Sequence, residues 1–227
     1  MTDSAARVIG ELGDAGFDLS ARLQAGWYNS EVATPHQVED FGRDNSEVVL
    51  IGNSRAIWPP FIAALRDDPE LAAAADPMDR YTERAVALAT RHIDCAYKVR
   101  WVHRAEPAHL SFQTLAQVAG LAWRSPASLS VHSEFGPWIA LRAAIVLDRP
   151  FDGERPSALR TCHNCAQGCE AVLRKTLALT HPDWQDWLAV RDACPTGAQH
   201  RYSEHQLQYH YTRSRACLSA AISSVSS

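Results

Sequence analysis

The chain has 227 residues, 46% of them apolar and 21% charged, with a net charge of −4 and a sequence pI near 6.2. That is enough to bury a substantial core in one domain without disulfide support. The acidic balance argues against a duplex-binding protein, whose affinity rests on neutralising phosphates, and the longest apolar stretch, Trp138 to Leu147, is interrupted by Arg142 and falls short of a membrane span.

The opening stretch, "TDSAARVIGELGDAGF", predicts a capped amphipathic helix stopped at Gly16, and its acids Asp3, Glu11 and Asp14 are wrong for a secretion signal. A reducing, cytoplasmic setting is therefore expected. "EVVLIGNS" (47–54) predicts a buried strand, and "WPPFIAALRDD" a helix whose prolines sit in its first turn. Residues 79–92 predict a helix and 94–103 a strand, the latter including Cys95. A helix over 110–124 precedes two strand-like runs, 128–133 and 137–148, and a polar connection over 149–160. Helices "AVLRKTLAL" and "PDWQDWLAVRD" and a last helical stretch from Ser203 complete the chain. Strands mixed with helices, without strict alternation, predict an α+β sandwich.

The chemistry begins at "TCHNCAQGC" (161–169), which gathers three of the six cysteines; Cys194-Pro195 and Cys217 follow. In a reducing compartment such a cluster points to metal or catalysis rather than disulfides. Cys162-x2-Cys165 offers two thiolates from one turn, and Cys169 and Cys194 can complete the set, with Cys217 as the alternative fourth ligand. A [4Fe–4S] cluster, a structural zinc aided by His163 or His181, and unligated thiols are the three readings.

Two further features stand out. On the helix expected over 110–124, Gln113, Gln117, Gly120 and Arg124 share one face at helical spacing, a surface that is either solvated or able to receive a large planar ligand. Arg142 sits within an apolar strand, where a charge needs either a buried acid or an anion-binding cleft.

Six stretches in order, "AGWYN" (25–29), "ADPMDR" (75–80), "QTLAQVAG" (113–120), "VHSEFGPWIALR" (131–142), "WLAVRDACPTGAQHRYSEHQ" (187–206) and Tyr209, resemble the CblC family of cobalamin-processing proteins. The resemblance implies a flavin-nitroreductase-like α+β sandwich, placed over 1–150; residues 151–227 are expected to form a helical, cysteine-rich arm packed on it. It implies base-off cobalamin in place of FMN, and reductive removal of the vitamin's upper ligand, by decyanation or by glutathione-dependent dealkylation. Carried over by motif, Leu110, Ser111, Phe112, Gln113, Gln117, Trp123, Arg124, Ser130 and Leu141 fall at cobalamin-side positions. Arg142 and Arg191 match two glutathione arginines, which makes them the candidate catalytic residues and turns Arg142 toward the cleft. A third would fall near Cys217, where Arg213 or Arg215 could substitute. Nitroreductase-like relatives suggest a homodimer by analogy.

The cysteines depart from that family. "ACPTGAQ" (193–199) and "RSRACLSAA" (213–221) resemble the cluster region of epoxyqueuosine reductase, another cobalamin protein. The combined reading is a cobalamin reductase fed by one [4Fe–4S] cluster on Cys162, Cys165, Cys169 and Cys194 from an outside electron donor. The alternatives are a cobalamin and iron–sulfur reductase acting on a separate substrate, and a cobalamin carrier with structural zinc.

Overall fold

A computed structural model describes residues 3–157, 162, 165 and 168–224. Helix α1 (Ser4–Asp14) is capped by the Asp3 carboxylate and ends before Gly16 in a left-handed conformation. Strand β1 (Leu19–Gln24) runs straight into the short helix α2 (Ala25–Asn29). Strand β2 (Ser46–Asn53) is buried throughout. Helices α3 (Trp58–Asp67), α4 (Pro69–Ala73) and α5 (Pro77–Thr90) follow, each with proline in its first turn. Then come strand β3 (Tyr97–Trp101), helix α6 (Phe112–Val118), the two-residue strands β4 (Trp123–Arg124) and β5 (Ser130–Val131), and the long strand β6 (Ala140–Pro150). Helices α7 (Cys169–Leu177), α8 (Trp184–Asp192), α9 (Glu204–Thr212) and α10 (Arg215–Ser224) complete the described chain. Among the described residues no helix is long and apolar enough to cross a membrane.

The main sheet has the order β1-β2-β6-β3 with every neighbouring pair antiparallel. Its two central strands alternate between two cores. Val49, Ile51, Ala143, Ile145 and Leu147 face a layer made by α1, α3, α5, α9 and α10, whereas Val48, Leu50, Ala144 and Val146 face α2 and α6. Side chains buried to this degree each contribute about 1.5–3 kcal/mol relative to exposure. Helices on both faces of an antiparallel sheet make this a mixed α/β architecture. The last two helices belong to the first core, through Tyr209, Cys217, Leu218 and Ala221.

A buried carboxylate locks the start of the chain onto the sheet. Glu47 is fully buried and sits between Arg22 and Arg149, both of which also reach Asp3 at the cap of α1, at 2.6 and 2.8 Å. Burial penalises the Asp3 charge, but the Arg149 and Arg22 contacts outweigh it and hold its pKa below the ordinary value.

Three expectations need correction. The helix expected over 110–124 ends at Val118, because Gly120 turns left-handed (φ 67°) and closes a Schellman motif: Gly120 N–H donates to Gln117 O and Leu121 N–H to Ala116 O. Trp123 and Arg124 therefore lie on a strand, and they do not share a helical face with Gln113 and Gln117. The strand expected over 94–103 begins at Tyr97, so Cys95 lies ahead of it. The run 128–133 yields strand only at Ser130–Val131.

Candidate functional site

The site consists of two compartments on either side of the β4–β5 hairpin. The first is an open cleft. One lobe, about 570 Å³, is lined by Val32, Ala33, His36, Val102, His109, Leu110, Ser111, Phe112 and Gln113. An adjoining lobe of about 250 Å³ shares Val102, Phe112 and Gln113, and adds Ser128, Leu129, Ser130, Pro137, Ile139, Leu141 and Arg191. The lining is apolar with a few polar groups, the usual character of a small-molecule site.

The "AGWYN" motif holds this cleft open. Tyr28 is fully buried; its hydroxyl donates to His36 O at 3.0 Å and accepts the Ser111 N–H at 3.0 Å, tying α2, the turn at Thr34–His36 and the start of α6 together. Asn29 pins the returning loop with both ends of its amide, to Val38 O and Val38 N. Ser111 then caps α6 by accepting the Thr114 N–H. Gln113 leans across the cleft floor and donates to Ser128 O at 2.6 Å.

At the far end stands Arg191. It is 8% exposed, its guanidinium stacked over Trp138 and Tyr202 at 5.4 Å from each ring centroid. One amino group donates to Ile139 O at 3.4 Å, while Nε and Nη1 meet no hydrogen-bond acceptor among the described residues. Trp138 Nε1 and the Tyr202 hydroxyl beside it are likewise buried without a partner there. Burial raises the Tyr202 pKa, with Arg191 opposing, so the phenol remains a donor. These buried donors stand together beside Arg191.

Arg142 takes a different place from the one expected. The β2–β6 register shifts between Ile51 and Gly52, leaving Arg142 as the extra residue of a bulge. The bulge turns it to the side of Trp58, Met78 and Tyr209, into an internal cavity of about 50 Å³ shared with Tyr202, His210 and Arg213. There its Nε donates to Asn53 Oδ1 at 2.6 Å. Arg142 does not line the cleft. Its neighbour His210 is pushed down to about 3, by burial first and then by the charges of Arg191, Arg142 and Arg213.

The second compartment holds the cysteines. Cys162, Cys165, Cys169 and Cys194 line one cavity of about 240 Å³, together with Ser125, Leu129, Val131, Glu170, Arg174 and Thr196. Trp123 donates its indole N–H to Cys162 Sγ at 3.3 Å. Burial, reinforced by the nearness of Cys162 and Cys169, raises the Cys194 thiol pKa. The loop that carries Cys194 is seated backbone against backbone: a Cβ on Gly197 would stand 2.2 Å from Phe135 C, and one on Gly136 would stand 1.7 Å from Thr196 O. Only glycine fits at either position, and both are left-handed.

Cys217 is not in this group. It is buried in the first core, and its thiol donates to His205 O at 3.1 Å. Among the described residues no three Cys, His, Asp or Glu side chains converge closely enough to hold one metal ion. A zinc centre needs its sulfurs about 2.3 Å from a common point, so the expectation of a single-ion site finds no support here. His181 is exposed and away from the cavity, and His163 lies outside the described residues. Four soft thiols lining one cavity are of the type that iron–sulfur clusters use.

Of the residues carried over by motif, Leu110, Ser111, Phe112, Gln113, Ser130, Leu141 and Arg191 line the cleft. Gln117 is exposed, Arg124 is exposed and bonds Ser128 Oγ, and Trp123 turns to the cysteines. Residues the sequence reading missed are Tyr28, Val102, Leu129 and the Trp138–Tyr202 pair. The first had a signal, a tyrosine inside a quoted motif; the others are assembled by long-range packing.

No curated protein matches the sequence. Among solved structures, the B12-trafficking protein CblC of C. elegans, a homologue of human MMACHC, superposes with a TM-score of 0.75 over 96% of this chain and 94% of its own, at 17% identity. Epoxyqueuosine reductase from Streptococcus thermophilus gives a TM-score of 0.46 at 10% identity, covering 96% of this chain and 79% of its own. The Bacillus subtilis enzyme gives 0.46 at 16% identity, with 78% and 53% covered. The sequence model of the methylmalonic aciduria and homocystinuria type C family matches residues 16–219. The fold and this match across nearly the whole chain agree, and the protein belongs to the methylmalonic aciduria and homocystinuria type C family.

Proposed function

We propose that this protein is a cobalamin reductase that removes the upper axial ligand of base-off cobalamin, with electrons arriving through a [4Fe–4S] cluster on Cys162, Cys165, Cys169 and Cys194. The observation that carries the reading is the shared wall. Leu129 belongs to the lining of both the cleft and the four-cysteine cavity, so one side chain's thickness separates them.

Each part of the chain has a task in this scheme. Phe112, Leu141 and Val102 present an apolar surface to the corrin, and Gln113 offers its amide to the ring's polar substituents. In the base-off form the nitrogen donor of the vitamin's own base is absent. Loss of that donor destabilises the higher oxidation state and loosens the upper ligand. An iron–sulfur cluster, when bound, supplies single electrons. Arg191, with two unpaired nitrogens and the Trp138 and Tyr202 donors beside it, suits a carboxylate of glutathione for the dealkylation branch. Its fork also suits a departing anion such as cyanide.

The test is anaerobic purification followed by iron, sulfide and zinc analysis and an ultraviolet–visible spectrum before and after cyanocobalamin. About four irons with matching sulfide, a base-off shift and cyanide release under reductant are expected. Zinc or no metal would overturn the cluster; an unchanged cobalamin spectrum would overturn the reductase.

A further inference from the structure

We infer that Trp123 is a tuning residue of the cysteine site: its indole N–H, donated to Cys162 Sγ from the hairpin that divides the two compartments, favours the more negative, reduced state of a bound cluster. The inference rests on the cluster reading above and adds to it a residue outside the cysteine set.

The hairpin sorts its side chains by the two-residue period of a strand. Trp123 pairs with Val131 and Arg124 with Ser130. Ser125 and Val131 line the cysteine cavity, Ser128 and Ser130 line the cleft, and Leu129 touches both. Trp123 follows Val131 to the cysteine side and is 7% exposed there. A buried indole N–H requires an acceptor, and this one meets a thiol of the four rather than a carbonyl. Hydrogen bonds to ligating sulfurs are among the levers that set a cluster's potential. A donor on a thiolate gains strength as negative charge accumulates, so it stabilises the reduced state over the oxidised one. Trp123 is a positioning residue in this sense, since it acts through Cys162.

The experiment compares the full chain with Trp123→Phe, which keeps an aromatic ring and removes the donor. Redox titration monitored by electron paramagnetic resonance reads the potential directly, without turnover. At a fixed potential the ratio of reduced to oxidised cluster is expected to fall about tenfold in the variant, 59 mV for a one-electron couple. A second measurement needs no variant to fold. Pulsed electron–nuclear spectra of the wild type in H₂O and D₂O should reveal an exchangeable proton coupled to the cluster, and that coupling should be missing from Trp123→Phe if it assembles. Wild-type iron with an unchanged potential in the variant, or no such exchangeable proton, would overturn the inference and leave the cluster standing. Wild-type protein without iron would overturn both.

Discussion

The cleft and the cysteine cavity are neighbours, yet they are held together by different means. The cleft is carried by well-buried elements: β2, the middle of β6, the inner face of α6 and the Tyr28 anchor are set by apolar packing and by the hydrogen bonds of the Tyr28 hydroxyl with His36 and Ser111. On the cysteine side, α8 packs Leu188 with Trp138, Tyr202 and Leu207, but α7 has little core. Helix α7, which begins at Cys169, buries only Thr176 among its nine residues; Leu177 at its end and Leu179 just after it are 62% and 47% exposed. A segment that buries so little apolar surface cannot offset its ordering entropy by packing alone. One compartment is held by its own packing; a bound metal group would add stability to the other, as it does in small metal-bound segments.

The largest test of that contrast is to remove the ligand set. Cys169→Ala with Cys194→Ala should abolish iron incorporation. Amide exchange should then speed by at least tenfold across residues 169–192 while β2 and β6 stay protected and cobalamin still binds. Exchange that accelerates equally in both regions would break the contrast. The next effect is Gly197→Ala, which forces a Cβ into the Phe135 backbone at a left-handed position. A loss of about 3 kcal/mol is expected, visible in urea denaturation. Because the contact joins the two regions, loosening should reach β6 as well.

A pH effect of about 2 kcal/mol should trace to His210. Its imidazole stays neutral in the folded protein down to about 3, so the unfolded chain binds the extra proton. Stability is then full above the ordinary value of 6.5 and drains away as pH falls below it, reaching about 2 kcal/mol at pH 5. His210→Phe should flatten that slope, as read from denaturation midpoints at pH 7 and 5. The smallest comparison sharpens the boundary of the cleft. Gln113→Ala should weaken cobalamin binding about tenfold, near 1.4 kcal/mol, whereas Gln117→Ala, on the exposed face of the same helix, should change affinity less than twofold.

Much of the fold was legible. The apolar run of β2, the proline-led start of α3, the body of α5 and the long apolar strand β6 all follow from pattern and propensity. Strand β1 was missed although Leu19, Ala21 and Leu23 alternate with Ser20, Arg22 and Gln24; six residues wedged between two helices give a weak signal. The over-long helix through Trp123 shows the opposite error. The apolar content of "GLAWR" continues a helical pattern that Gly120 and Leu121 terminate through backbone geometry. At the site, Leu110 to Gln113 were readable because motif and helix start coincide. The turn of Arg142 away from the cleft was not, since a bulge depends on how β2 and β6 register against each other. The orphan donors beside Arg191 likewise come from Trp138 and Tyr202, distant from each other in sequence and joined only by packing.

The paired glycines at 136 and 197 carry a consequence for how such a protein can be rebuilt. Their backbones occupy space that a single methyl group on either would fill. The turn before β6 and the loop after Cys194 are therefore one inherited part, though sixty residues separate them in the chain. A cysteine loop grafted onto a relative with any side chain at the partner position would arrive intact and find no seat. Designers wishing to give a cobalamin protein its own electron supply would have to transplant both ends of that contact at once.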